Sequence, residues 1–207
     1  MIFVDTSAWI AFANELDIFH EHANPLMRDL IKDSSVQLFT SDIILGEILD
    51  LVSHDTYRKR LMNKSGLSEG DIKHKCETIR EMLDRMIQDS AKAELLHADE
   101  EIIANTKILY RDNPQIYLNF SDWSNISFMK RYNIKKLFTY EKSFGYTFNK
   151  GFGDTTEFET IPRYDELKNL IKSIPLEYQE KQTEQEGGTK KNKTDDTSHI
   201  PTQTSAK

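Results

Sequence analysis

The chain has 207 residues, 38% of them hydrophobic, with a net charge of −7 and a pI of about 5.4. That length suits one domain, or one domain with a tail, and the acidic balance excludes a simple polybasic nucleic-acid coat. A single cysteine, Cys76, excludes an internal disulfide, and no apolar run approaches the ~18 residues of a membrane span, so the chain reads as soluble and cytoplasmic, with no membrane partner.

Ile2, Phe3 and Val4 form a short β-prone run, and Asp5 follows at once. Thr6 and Ser7 then lead into an apolar helical stretch, Ala8 through Asn14. Asp5 interrupts the apolar opening, which speaks against a signal peptide. A buried strand that turns into a helix puts Asp5 at the strand's carboxyl end, the edge where open α/β sheets bind ligands. A second helix is expected from about Glu21 to Ile31, with Pro25 near its first turn. His20 and His22 flank Glu21 but point to different sides of a helix, so they read as solvated surface rather than zinc ligands. His74 and Cys76 read the same way.

Val36 to Thr40 reads as the second strand, and Ile43 to Val52 as a helix with Ser41 and Asp42 as N-cap candidates. Glu47 lies one turn in, where it can lean over the sheet edge. His54 to Gly70 either continues this helix or forms an exposed loop. Asp71 to Gln88 is helical, with Ile72, Cys76, Ile79, Leu83, Met86 and Ile87 as one stripe. Residues 54–90 thus read as a helical arm whose basic residues form a solvated face, or contact RNA phosphate.

A short third strand is expected at Ala93 to His97, followed by a helix capped by Asp99. Asn119 to Tyr132 reads as a buried helix whose first turn holds Ser121, Asp122 and Asn125. Lys136 to Glu141 is the fourth strand, again ending in an acid. Lys142 to Gly145 read as a loop, and Tyr146 to Ile161 as an edge hairpin or closing strand. A terminal helix follows at 165–178, and residues 179–207 have the composition of a disordered tail.

Alternating strands and helices imply an α/β fold with a mostly parallel sheet flanked by helices. Asp5, Glu47, Asp122 and Glu141 then converge on one edge. Four carboxylates in one pocket repel unless a cation neutralises them, and oxygen-only ligands suit Mg²⁺ or Mn²⁺. Such a site activates water and stabilises charge growing on a phosphodiester. Thr6, Ser7, Ser121, Asn125 and Thr139 are the small polar neighbours that orient ligands or water. Each acid also has a plainer reading: Asp5 and Asp122 as helix caps, Glu47 as solvated, Glu141 as a turn residue.

Four segments in order resemble the PIN-domain ribonucleases, and within them the VapC type of toxin: Phe3-Val4-Asp5-Thr6-Ser7-Ala8, Glu47 in a helix after Thr40-Ser41, Ser121-Asp122 opening an apolar helix, and Phe138-Thr139-Tyr140-Glu141-Lys142-Ser143-Phe144. The resemblance covers roughly residues 1–150 and implies a PIN-like three-layer fold over 1–164. It also implies metal-dependent endoribonuclease activity, dimerisation and, for toxins, a small antitoxin protein. Glu141 stands where many members have Asp. Trp123 stands where the residue is usually small, and is expected to narrow the pocket or stack on a base. The extended arm and tail leave a housekeeping RNA-processing nuclease as a second reading. A non-catalytic PIN-fold module that binds RNA or protein is a third. A haloacid-dehalogenase-like phosphatase would need an acid at position 7, where Ser7 stands.

Overall fold

The computed structural model describes residues 1–88, 93–152 and 155–175. In chain order these form β1 (Ile2–Val4), α1 (Thr6–Ala13), α2 (His20–Lys32), β2 (Leu38–Ser41), α3 (Asp42–Ser53), α4 (Asp55–Ser65) and α5 (Glu69–Gln88). Then come β3 (Ala93–Leu96), α6 (Glu100–Asp112), α7 (Phe120–Arg131), β4 (Lys136–Phe138), α8 (Lys142–Lys150), β5 (Glu159–Ile161) and α9 (Tyr164–Ser173).

The five strands make one parallel sheet in the order β3-β2-β1-β4-β5. β1 is its centre and is buried throughout, as a strand covered by helices on both faces must be. The strand order reverses between β1 and β4, the kind of crevice where open α/β sheets take ligands. Register fixes what meets there. Phe3 pairs with Leu137 and Val4 with Phe138, so the next residues, Asp5 and Thr139, leave the sheet side by side.

Side chains from both halves of the chain fill the core. Trp9, Trp123, Phe3, Phe128, Phe138 and Phe144 are all fully buried. Helix α7 is buried nearly all round, from Trp123 to Met129, so its polar residues need internal partners. Ser124 donates to Ser121 O, Ser127 to Trp123 O, and Thr106 to Ser127 Oγ. The burial of Trp123 corrects the expectation that it lines the pocket or stacks on a base: its ring belongs to the core.

Of the expected arm at 54–90, the described residues pack into the body. His54 Nδ1 accepts from Thr56 N, ending α3 and starting α4 as a separate helix. The expected α5 stripe is seated inward, with Ile72, Cys76, Ile79 and Leu83 buried against α1, α3 and α4. Cys76 is therefore core rather than surface. Of the arm's basic residues, Arg58 pairs with Asp55, Lys64 donates to Leu16 O and Lys75 pairs with Glu15.

The stretch after β4 departs most from the sequence reading. β4 spans Lys136–Phe138; Thr139 N still donates to Ile161 O (3.0 Å), and the ladder stops at Tyr140, whose N–H donates to Ser7 Oγ of α1 instead. Residues 142–150 form α8 rather than a loop and hairpin. Phe144 and Phe148 sit one helical turn apart and bury together, which outweighs the apparent alternation. Gly151, at φ +68°, closes α8 in the left-handed conformation glycine tolerates. The closing strand is the short parallel β5. The terminal helix ends at Ser173, and the expected tail lies outside the described residues. Among the described residues no helix is long and apolar enough to cross a membrane.

Candidate active site

Asp5 is the hub of the sheet edge and is only 2% exposed. Its Oδ2 accepts from Ser7 Oγ (2.7 Å) and Thr139 Oγ1 (2.8 Å), and its Oδ1 from Asn125 Nδ2 (2.9 Å). These partners come from α1, the end of β4 and α7, so one carboxylate ties three elements together. Ser7 Oγ also accepts from Tyr140 N (2.9 Å), and Thr139 Oγ1 from Glu141 N (3.0 Å). Burial pushes the Asp5 carboxyl up from its ordinary value, against the pull of the Ser7 and Thr139 hydroxyls.

Glu47, half-buried on α3, accepts a 2.6 Å bond from Thr6 Oγ1. Its carboxyl is also pushed up, first by burial and then by the charge of Asp5, while the Thr6 and Ser121 hydroxyls oppose the shift. Asp122 sits at the third position of α7. Its Oδ2 accepts from Asn119 N (2.8 Å), and Asn119 Oδ1 accepts from Asp122 N (2.9 Å), a reciprocal capping box. Its carboxyl is pushed up to about 8, by burial first and then by Asp5, with smaller contributions from Glu141 and Glu47. Glu141 is the exposed member, at the N-cap of α8 without a side-chain capping bond.

The edge therefore holds Asp5, Glu47, Asp122 and Glu141 within electrostatic reach. The capping readings of Asp5 and Asp122 are true as well: Asp5 caps α1, and Asp122 completes the cap of α7. Among the described residues, however, no three acid, histidine or cysteine side chains close on one point as ion ligands. Each buried carboxylate is committed to an internal donor, and like charges held apart in this way sense one another without converging. A cavity of about 460 Å³ between α6 and α7, beside Asn105, Ile108, Leu109, Ser127 and Lys130, lies away from these acids.

The donor set nonetheless fits a hard divalent cation. It is all oxygen, and no ion pair among the described residues reaches Asp5, Glu47 or Asp122. Beside Asp5 lies a buried acceptor, Asn125 Oδ1, with no hydrogen-bond partner.

Sequence reasoning overlooked two residues. Asn119, with Asp122 three positions on, carries a readable capping-box signature. Tyr140 carries none: its backbone N–H fixes Ser7, and its hydroxyl meets His22 Nδ1 at 2.8 Å. His22, with His20 bonded to Ala11 O, is thereby half-buried and partnered rather than solvated surface.

A parallel five-stranded sheet with acids gathered at the β1/β4 crevice defines the class, and the PIN domain family model matches residues 2–147. The chain belongs to the PIN domain family. Among solved structures it is similar to VapC20 of Mycobacterium tuberculosis, a sarcin-ricin loop cleaving toxin. That likeness has a TM-score of 0.51 at 19% identity, over 74% of this chain and 98% of the other, and it shows a shared fold. No curated protein matches the sequence.

Proposed function

We propose that this chain is a metal-dependent endoribonuclease. The single observation that carries the reading is the coupled set of carboxylates around Asp5, at the strand-order reversal of a PIN fold. Asp5, Glu47 and Asp122 would hold Mg²⁺ or Mn²⁺, with Glu141 as a further ligand, directly or through water. The cation supplies an activated water and neutralises charge growing on the phosphodiester.

The protein groups set the geometry for that chemistry. Ser7, Thr139 and Asn125 fix the Asp5 carboxylate, so it loses little freedom on binding a ligand. Thr6 and Ser121 orient Glu47. Asn119 holds Asp122 at the start of α7. Exposed Glu141 lies on the side open to substrate. We assign the nuclease unit to residues 1–164 and its setting to the cytoplasm, and we propose a second copy of the chain and a small antitoxin as partners. VapC20's cleavage of the sarcin-ricin loop suggests a structured RNA loop as a substrate to try.

Base contact falls to the aromatic residues ahead of the third acid rather than to Trp123. Tyr117 is 87% exposed and Phe120 38%, in the segment that leads into Ser121-Asp122. Stacking on one base contributes roughly 1–3 kcal/mol. Tyr117→Ala is therefore expected to weaken RNA binding about tenfold at unchanged Mg²⁺ affinity, read by fluorescence anisotropy with a labelled oligonucleotide. Equal binding by both proteins would remove Tyr117 from the interface.

The test of function is cleavage of a mixed pool of structured and single-stranded RNAs with Mn²⁺, with EDTA, and with Asp5→Asn. Cleavage that needs both metal and Asp5 supports the nuclease. RNA binding without cleavage, and without a metal-induced rise in Tm, makes the chain a non-catalytic PIN-fold binding module instead.

A further inference from the structure

Asn125 is fully buried, on a helix buried almost all round. Its amide is used on one side only. Nδ2 donates to Asp5 Oδ1 at 2.9 Å, while Oδ1 has no hydrogen-bond partner. The orientation follows from chemistry: a carboxylate oxygen accepts only, so the amide must present nitrogen to Asp5. Leaving a buried carbonyl oxygen unmatched carries a desolvation penalty that nothing in the protein repays. The other buried polar side chains of α7 are satisfied within the protein: Ser124 by Ser121 O, and Ser127 by Trp123 O and Thr106.

We propose that Asn125 Oδ1 is a neutral oxygen of the cation's coordination shell, beside the carboxylates of Asp5, Glu47, Asp122 and Glu141. This rests on the metal-site reading above and extends it to a residue that bears no charge. Oδ1 and Nδ2 share one carbon, so the unmatched oxygen sits next to the Asp5 carboxylate. Amide oxygens are ordinary ligands for hard divalent cations. The arrangement also couples the two halves of the group. A cation drawing electron density from Oδ1 makes Nδ2–H a stronger donor, which holds Asp5 more firmly in place. A neutral ligand adds a bond without adding a further negative charge to a site already crowded with them.

The test is Mn²⁺ binding to the full chain by isothermal calorimetry, without RNA, for wild type, Asn125→Leu and Asn125→Asp, with circular dichroism as the check on folding. The Leu variant removes both polar atoms and is expected to bind Mn²⁺ about tenfold more weakly. The Asp variant keeps an oxygen for the cation but loses the donor to Asp5 and adds repulsion. It is expected to melt lower than wild type without metal, yet to bind Mn²⁺ at least as tightly. A residue that only braces Asp5 would give the opposite, with both variants weakened alike, and that result overturns the proposal. Wild-type affinity in the Leu variant overturns it too. A wild-type chain that takes up no Mn²⁺ overturns the metal site itself and this assignment with it, so the two failures are distinguishable. Should the Leu variant not fold, the Asp variant alone decides: weaker binding than wild type refutes the proposal, and equal or tighter binding supports it.

Discussion

Asp5→Asn is expected to lower RNA cleavage by about 10³-fold or more, about 4 kcal/mol of barrier, while the metal-free protein melts higher than wild type. The substitution is nearly isosteric, and its surroundings tolerate it. The new side-chain oxygen can face Asn125 Nδ2 and keep that bond. The new amide nitrogen would face Ser7 Oγ and Thr139 Oγ1, hydroxyls that accept as readily as they donate. What disappears is a charge that burial disfavours and that pushes up both Glu47 and Asp122. Removing it relieves repulsion and deletes the proposed central ligand in one step, so stability and activity should move in opposite directions. Melting curves with and without Mg²⁺, beside a cleavage assay, measure both. Full activity in Asp5→Asn and in Asp122→Asn would refute the site assignment.

The metal-free protein should lose stability as pH rises from about 4 to about 8, and Mg²⁺ should restore it. The carboxyl of Asp122 is pushed up to about 8, and those of Asp5 and Glu47 are pushed in the same direction. Between the unfolded value, 3.8 for Asp122, and its folded one, the native state carries a proton that the unfolded chain has released. The native state binds more protons, so stability falls with rising pH across that window. A cation inverts the preference by favouring the ionised carboxylates. The Mg²⁺-induced rise in Tm should therefore be small at pH 5 and grow towards pH 8.5, with protons released on binding. Exposed acids such as Asp33, Asp71 and Asp99 are shifted downward, so they contribute stability that is lost only below about pH 4. A Tm shift independent of pH between 5 and 8.5 would mean that the cation does not compete with protons at these carboxylates.

Much of this site is readable from the chain because strand-end chemistry is local. Ile2-Phe3-Val4 followed by Asp5, and Lys136-Leu137-Phe138 followed by Thr139, each mark a buried strand running into polar residues. Ser121 and Asp122 open a helix whose apolar continuation is unmistakable. The stretch from Tyr146, read as an edge hairpin after a loop at Lys142 to Gly145, misled the reading because aromatic and polar residues alternate there, and alternation in a short stretch fits a strand as well as a helix face. Only the packing of Phe144 against Phe148, and of Phe148 against Phe158 before β5, decides for the helix.

The sequence by itself determined the parallel α/β class, the strand that ends at Asp5 and the order in which the four acids arrive. These follow from hydrophobic period and capping chemistry within a few residues. Tertiary structure alone decided that Asn125, 120 residues away, meets Asp5, that Thr6 holds Glu47 from 41 residues away, and that Trp123 faces the core. Those contacts depend on β1 lying between β2 and β4 and on how α7 is rotated against the sheet. A helix buried almost all round carries no periodic signal for its own rotation, so the sequence could offer candidate residues for the site but not the bonds between them.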